Sequence, residues 1–218
     1  MKELTDNTPK ALLRVAGRSL IEYALDALPD PVDEVIIIVG YLGGMIHDAL
    51  GPQYFGKKIL YVEQGEQHGT AGALWSAKDV LKEKFLVTHA DDMYSAVDLA
   101  KMAVVREWGL LVKEVDPIGE GGKIVVHDDK VKAIIEGTHG DVKGRVSAGV
   151  YTLDRRIFDQ SLIPKSEGSE EFGLPQTILA AVAARHILLE AVEASFWIQI
   201  TAPEDLTKAD ELLARSAV

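Results

Sequence analysis

At 218 residues, with 47% apolar and 26% charged side chains, the chain is long enough to bury a core of its own and reads as a single domain, 1–218. Its net charge of −11, with 34 acidic against 23 basic residues and no basic stripe, argues against nucleic acid or an anionic membrane as partner. The absence of cysteine excludes disulfides, thiolate metal sites and cysteine nucleophiles, and no apolar run reaches bilayer length. A polar stretch follows Met1 instead of a signal peptide, so a soluble cytoplasmic protein is the expectation.

In chain order, residues 19–28 carry apolar side chains at Leu20, Ile21, Ala24, Leu25 and Leu28, a helical period. Residues 35–39 are a continuous β-branched run stopped by Gly40, which is how a strand covered on both faces reads. Further strands are predicted over 59–62, 85–88, 109–115 and 146–153, with a helix over 70–81 whose inner face is Ala73, Leu74, Ala77 and Leu81. Residues 123–126 and 131–135 flank the turn-like Asp128-Asp129-Lys130, a hairpin pattern. A helix over 172–184, extended stretches over 187–192 and 196–200, and a closing helix from Pro203 to 216 complete the reading. Strands and helices alternate over short connections, so the class is α/β, with a mostly parallel central sheet flanked by helices and a small β-hairpin region.

Two glycine clusters carry little. Gly40-Tyr41-Leu42-Gly43-Gly44 lacks the G-x-G-x-x-G spacing, and Gly119-Glu120-Gly121-Gly122-Lys123 lacks P-loop spacing and leads into a strand. Both read as turn glycines.

Three other segments belong together. They are Thr5-x-x-x-Pro9-Lys10-Ala11-Leu12, the run from Gln64 through Gly69-Thr70-Ala71, and Ala90-Asp91-Asp92 at the tip of a predicted strand. With Ser147-Ala148-Gly149-Val150-Tyr151, Glu171-Phe172-Gly173-Leu174, and Phe196-Trp197-Ile198 before Pro203-Glu204-Asp205-Leu206, the chain resembles the sugar-phosphate nucleotidyltransferases over nearly its whole length. That family includes the glucose-1-phosphate thymidylyl- and uridylyltransferases.

The resemblance implies a Rossmann-like nucleotidyltransferase fold and transfer of UMP or dTMP from an NTP to a sugar 1-phosphate, with Mg²⁺ and release of pyrophosphate. It places Lys10 and Asp91 in catalysis, and Gln64, Gly69 and Thr70 at the nucleotide. The amide of Gln64 suits the donor-acceptor edge of uracil or thymine, which favours UTP or dTTP. Glu136, Gly149 and Glu171 would meet the sugar, and Asp91 with Gln199 the metal. The blander readings are a solvated lysine for Lys10, a helix cap for Thr70, a helix cap or solvated turn for Asp91, and an acid at a helix N-terminus for Glu171. A homo-oligomer is left open.

The chain also departs from the pattern. The family's first strand and its G-x-G-T-R loop stand before the segment that Leu4–Lys10 matches, where this sequence has Met1, so the sheet is expected to lack a central strand. Gln199 stands for the second metal carboxylate. Gly137 replaces the lysine expected to hold the sugar phosphate, with Lys143 or Arg145 as substitutes, and Ala90 replaces a glycine. The alternatives are an inactive nucleotide- or nucleotide-sugar-binding paralogue, and a same-fold enzyme acting on a phosphate such as phosphocholine.

Overall fold

A computed structural model describes residues 2–66 and 68–216. The first long helix, α1 (Leu20–Asp26), is opened by a capping box: the Glu22 carboxylate accepts from both the amide and the hydroxyl of Ser19 at 2.8 and 2.6 Å. Its inner residues Leu20, Ile21, Ala24 and Leu25 are all buried, as their spacing predicts.

The apolar run forms β1 (Glu34–Val39), which pairs in parallel with β2 (Lys57–Glu63) across α2 (Gly43–Leu50), a right-sized crossover for two parallel strands. Here one expectation is corrected. Gly43 and Gly44 open a helix instead of sitting in a turn, and the strained position is Leu42 at φ 70°. Of the second cluster, Gly119 has a left-handed φ of 69° as a turn requires, but Gly121 and Gly122 lie inside a strand.

The main sheet takes most of the rest, while Trp197–Ile198 pairs instead with Met93–Tyr94. After α3 (Gly69–Ser76) come β3 (Lys84–Val87), α4 (Ala96–Ala103), β4 (Trp108–Val115), β5 (Glu120–His127), β6 (Lys130–Thr138) and β7 (Gly144–Asp154). Then follow α5 (Leu174–Arg185), β8 (Leu189–Glu193), β9 (Trp197–Ile198) and α6 (Pro203–Ser216). The six strands lie in the order β3-β7-β4-β8-β6-β5.

The α/β class stands, whereas the mostly parallel sheet does not. In the six-stranded sheet only β4 with β8 runs parallel, and the hairpin and its neighbours are antiparallel. Hydropathy marks a strand buried on both faces but not its direction, and Trp108, Leu110, Leu111 and Val112 are buried here beside both a parallel and an antiparallel neighbour. The hairpin itself turns on Asp128 and Asp129, both at positive φ, the geometry of a two-residue type I′ connection. Its strands run past the predicted limits, so Glu136 lies within β6 and not after it.

The two sheets do not join. In β1, the carbonyls of Asp33 and Val39 accept from Lys58 and Gln64 on the β2 side, so by alternation Ile36 and Ile38 turn their backbone groups the other way. In β3, the amide of Arg155 donates to Glu83, which turns Leu86 away from β7. Among the described residues no strand pairs with either of these edges. Between them lies a cavity of about 550 Å³, lined by Ile21 and Leu25 of α1, by Leu28 just beyond it, by Ala73 and Leu74 of α3, and by both strands.

No helix of the described residues is long and apolar enough to cross a membrane. The last helix begins just after Gln199 and is tied at its start by Asp205, whose carboxylate accepts from Thr201 N, Thr201 Oγ1 and Ala202 N, each at 2.9 Å. Burial would raise the pKa of Asp205, but these bonds and Lys208 outweigh it and bring it down to about 2. The folded pKa lies below the unfolded one, so the stabilisation is full above the ordinary carboxylate value and fades as pH falls towards 2. Asp205→Ala is expected to cost about 1–2 kcal/mol at pH 7. In urea melts repeated at falling pH, its gap from the parent chain should close between about pH 4 and pH 2.

Candidate active site

The site forms where strand tips and loops from distant parts of the chain converge. Asp91 stands just past β3, the usual place for a ligand-binding side chain in an α/β sheet. Lys10, at the start of a single 3₁₀ turn, reaches it, with Nζ 2.7 Å from Oδ2 and both side chains about 30% exposed. The pair that the sequence placed in catalysis is thus a contact pair at the rim of the inter-sheet cavity, which Asp91 lines.

Asp92 faces inward. It is 2% exposed and accepts from Trp197 Nε1 at 3.2 Å and from Ile200 N at 3.4 Å, so it anchors the stretch that carries Gln199.

A cleft of about 650 Å³ adjoins the first cavity. Gln64, Gly69, Thr70, Glu136, Gly149, Glu171 and Gln199 all line it, although they come from seven positions spread over more than half of the sequence. Thr70, Ala73, His89 and Tyr151 line both cavities and form the wall between them, so Gln64 and Asp91 face adjoining spaces and not opposite sides of the molecule. Burial pushes the Tyr151 phenol up to about 12, which keeps it a proton donor throughout the ordinary pH range. Gln67, within the Gln64–Gly69 loop, lies outside the described residues.

Three of these residues do structural work that their sequence context does not reveal. Gly69, at φ 85°, lies against the backbone of Phe172. A Cβ there would come within 2.4 Å of Phe172 O, so the space that the missing side chain leaves is taken by protein. The hydroxyl of Thr70 caps not its own helix but α5, accepting from Leu174 N at 2.9 Å. Gly149 sits at φ 73° where the register of β7 against β4 shifts between Ser147 and Tyr151, and a Cβ on it would strike the His89 ring at 2.6 Å.

His89, Lys165 and Gln176 line the cleft and were not anticipated. The Asp92 carboxylate, 3.5 Å from Nδ1, holds the His89 imidazole above its ordinary pKa. Gln176 donates from Nε2 to Glu136 at 2.9 Å, while its Oε1 is buried without a hydrogen-bond partner. Position in the sequence gives no sign of Lys165 or Gln176, since both depend on the segment around Phe172 folding back onto Ala71 and His68.

The proposed substitutes Lys143 and Arg145 are engaged elsewhere, Lys143 with Glu114 at 2.7 Å and Arg145 with Glu193, and neither lines the cleft. Among the described residues there is no cluster of three or more metal-ligating side chains. Of the two residues expected to hold the metal, the carboxylate Asp91 lines the inter-sheet cavity and the neutral amide Gln199 lines the adjoining cleft. Such a sparse set fits Mg²⁺, which keeps few protein ligands and takes the rest of its shell from water and substrate phosphates.

Comparison with known proteins bears on the whole chain. A sequence profile described as nucleotidyl transferase matches residues 1–216. The bifunctional protein GlmU of Methanocaldococcus jannaschii is 27% identical over 98% of this chain, which spans about half (51%) of that relative's length. The UTP–glucose-1-phosphate uridylyltransferase AglF of Haloferax volcanii is 26% identical over 98% of this chain and 91% of its own. Among solved structures, the inositol-1-phosphate CTP transferase of T. maritima superposes with a TM-score of 0.77 at 21% identity, covering 99% of this chain and 90% of that one. A UDP-glucose pyrophosphorylase complexed with UDP-glucose gives 0.80 at 16% identity, covering 98% and 93%. These structures share the fold, and the profile spans nearly every residue: the chain belongs to the nucleotidyl transferase family.

Proposed function

We propose that the protein transfers a nucleotidyl unit, UMP or dTMP, from an NTP to a sugar 1-phosphate and releases pyrophosphate. The observation that carries this reading is the meeting of Lys10 and Asp91 at 2.7 Å beside a cleft lined by Gln64, Glu136 and Glu171. One side of that arrangement handles charge, and the other offers hydrogen bonds suited to a base and a polyol.

In the reaction, an oxygen of the sugar phosphate attacks the α-phosphorus of the NTP. The bond from that phosphorus to the oxygen bridging to the β-phosphate breaks, and its electrons leave with pyrophosphate. No proton need be removed from a phosphate that is already ionised, so the protein's task is to align two anions and offset their charge. Lys10 would stabilise charge growing on the leaving pyrophosphate. Asp91, with Gln199 as a neutral second donor, would hold Mg²⁺, which supplies further charge neutralisation to the phosphates when bound. Gln64 would pair with the pyrimidine edge, and Glu136 and Glu171 would accept from sugar hydroxyls. Tyr151, in the wall between the two spaces and with its hydroxyl 3.1 Å from Ser147 Oγ, would offer a hydrogen bond while keeping its proton.

A pyrophosphate-release assay across UTP, dTTP, CTP, GTP and ATP, each with several sugar 1-phosphates and with phosphocholine, tests the reading. Release is expected with a pyrimidine nucleotide and a sugar 1-phosphate. Release only with a purine nucleotide, or only with phosphocholine, would overturn the corresponding half of the proposal. Calorimetric uptake of UTP or dTTP with no release from any pair would favour a nucleotide-binding protein instead.

A further inference from the structure

We infer that Lys165 is the residue that selects a phosphorylated acceptor, by pairing with its phosphate in the cleft. This inference rests on the reading of the cleft as the acceptor's site.

The side chains lining the cleft include three carboxylates, Glu120, Glu136 and Glu171. Against them, among the described residues, stand no arginine and a single lysine, Lys165, with His89 as the remaining basic group. A sugar 1-phosphate brings up to two negative charges into that space, and without a fixed cation the three carboxylates would repel it. Lys10 is committed to Asp91 in the adjoining cavity, Lys143 to Glu114 and Arg145 to Glu193. Lys165 is left as the lining residue with a permanent positive charge.

Geometry supports the assignment. Residues 163–165 and 171–173 form a backbone ribbon: Lys165 N donates to Glu171 O at 2.8 Å, and Gly173 N donates to Ile163 O at 3.0 Å. The same ribbon is bonded to the nucleotide loop, since Phe172 N donates to His68 O at 3.0 Å and Ala71 N donates to Phe172 O at 3.1 Å. Lys165 is therefore carried on a segment fixed to the residues expected at the nucleotide. Its Nζ lies 3.8 Å from Glu171 Oε2, beyond direct hydrogen-bond range, and its side chain is 66% exposed. So loose a partnership in high dielectric is readily exchanged for a phosphate. In that arrangement Glu171 moves from pairing with Lys165 to accepting from a hydroxyl of the same ligand.

The test compares Lys165→Met and Lys165→Arg with the parent chain. Calorimetry on glucose 1-phosphate and on glucose reads the phosphate preference without requiring turnover. The parent chain should bind the phosphate ester more tightly than the sugar. Lys165→Met should lose about tenfold to a hundredfold for the ester and little for glucose, while Lys165→Arg should stay within a few-fold of the parent. The Met variant keeps the backbone bonds of the ribbon, and an unchanged thermal midpoint would show that the fold is retained. Equal binding of ester and sugar by the parent chain, or an ester affinity untouched by Lys165→Met, overturns the inference. Kinetics separate it from the broader reading: the KM for the acceptor should rise in Lys165→Met while the KM for the NTP holds. Absence of turnover in the parent chain counts against the broader reading alone, because the calorimetric result still decides the role of Lys165.

Discussion

Asparagine at position 91 is expected to lower pyrophosphate release by about 10³-fold while leaving the thermal midpoint nearly unchanged. The two halves of this expectation have different causes. Asp91 and Lys10 are each about 30% exposed, and an ion pair that water still reaches contributes roughly 1 kcal/mol or less to folding. In the reaction the same carboxylate would gather the Mg²⁺ that offsets the phosphates, and the only other donor proposed, Gln199, brings no charge. Asparagine keeps the shape and one oxygen but removes the charge that attracts a hard cation. The Mg²⁺ concentration needed for half-maximal NTP binding should rise with the loss of turnover, and it is measured without any chemistry taking place. Lys10→Met should act differently, reducing turnover by about a hundredfold with little change in the Mg²⁺ requirement. Turnover of Asp91→Asn within tenfold of the parent chain would remove Asp91 from the mechanism. The neighbouring Asp92→Asn should instead loosen the fold, because Asp92 is 2% exposed and holds Trp197 and Ile200.

The contrast between these two aspartates shows what could be read from the sequence. A strand-like run followed by acidic residues puts Asp91 past the strand's tip, and β3 does close at Val87, four residues before it. The spacing from Leu20 to Leu25 likewise reports burial that the structure contains, whereas residues 35–39, read as covered on both faces, bury only Ile37 and Val39 because the other face borders the inter-sheet cavity. Harder to read was anything set by pairing at a distance. Glu136 and Gly137 sit in β6, but that end of the strand is exposed and polar, so hydropathy ends it early. The glycine pair that opens α2 and the short α4 lack a long apolar period. Lys165 enters the cleft only because its ribbon is bonded to His68 and Ala71, nearly a hundred residues earlier. Resemblance supplied Gln64, Glu171 and Gln199 as a group. It also attached Gly69 and Gly149 to ligands, where the structure gives each a neighbour in the protein, Phe172 for one and His89 for the other.

The edges that face the inter-sheet cavity carry the other large expected effect. Amide exchange followed by NMR on the chain 1–218 should find Ile36, Ile38 and Leu86 exchanging at least about a hundredfold faster than their neighbours Ile37, Phe85 and Val87. Alternation turns the first three toward the cavity and the second three into ladders with β2 and β7. Amides in paired core strands exchange only when the structure opens, whereas unpaired amides bordering 550 Å³ of space meet water directly. Each such group left without a partner costs about 1–3 kcal/mol, so these strands should also be the first to loosen in denaturant. Looseness there has a functional consequence, because Asp91 is held four residues beyond the end of β3. A dye that fluoresces on apolar surface should bind the same space, between the helix faces of Ile21, Leu25 and Leu74. If Ile36, Ile38 and Leu86 exchange as slowly as the residues between them, the two edges are paired in solution and the sheet is continuous.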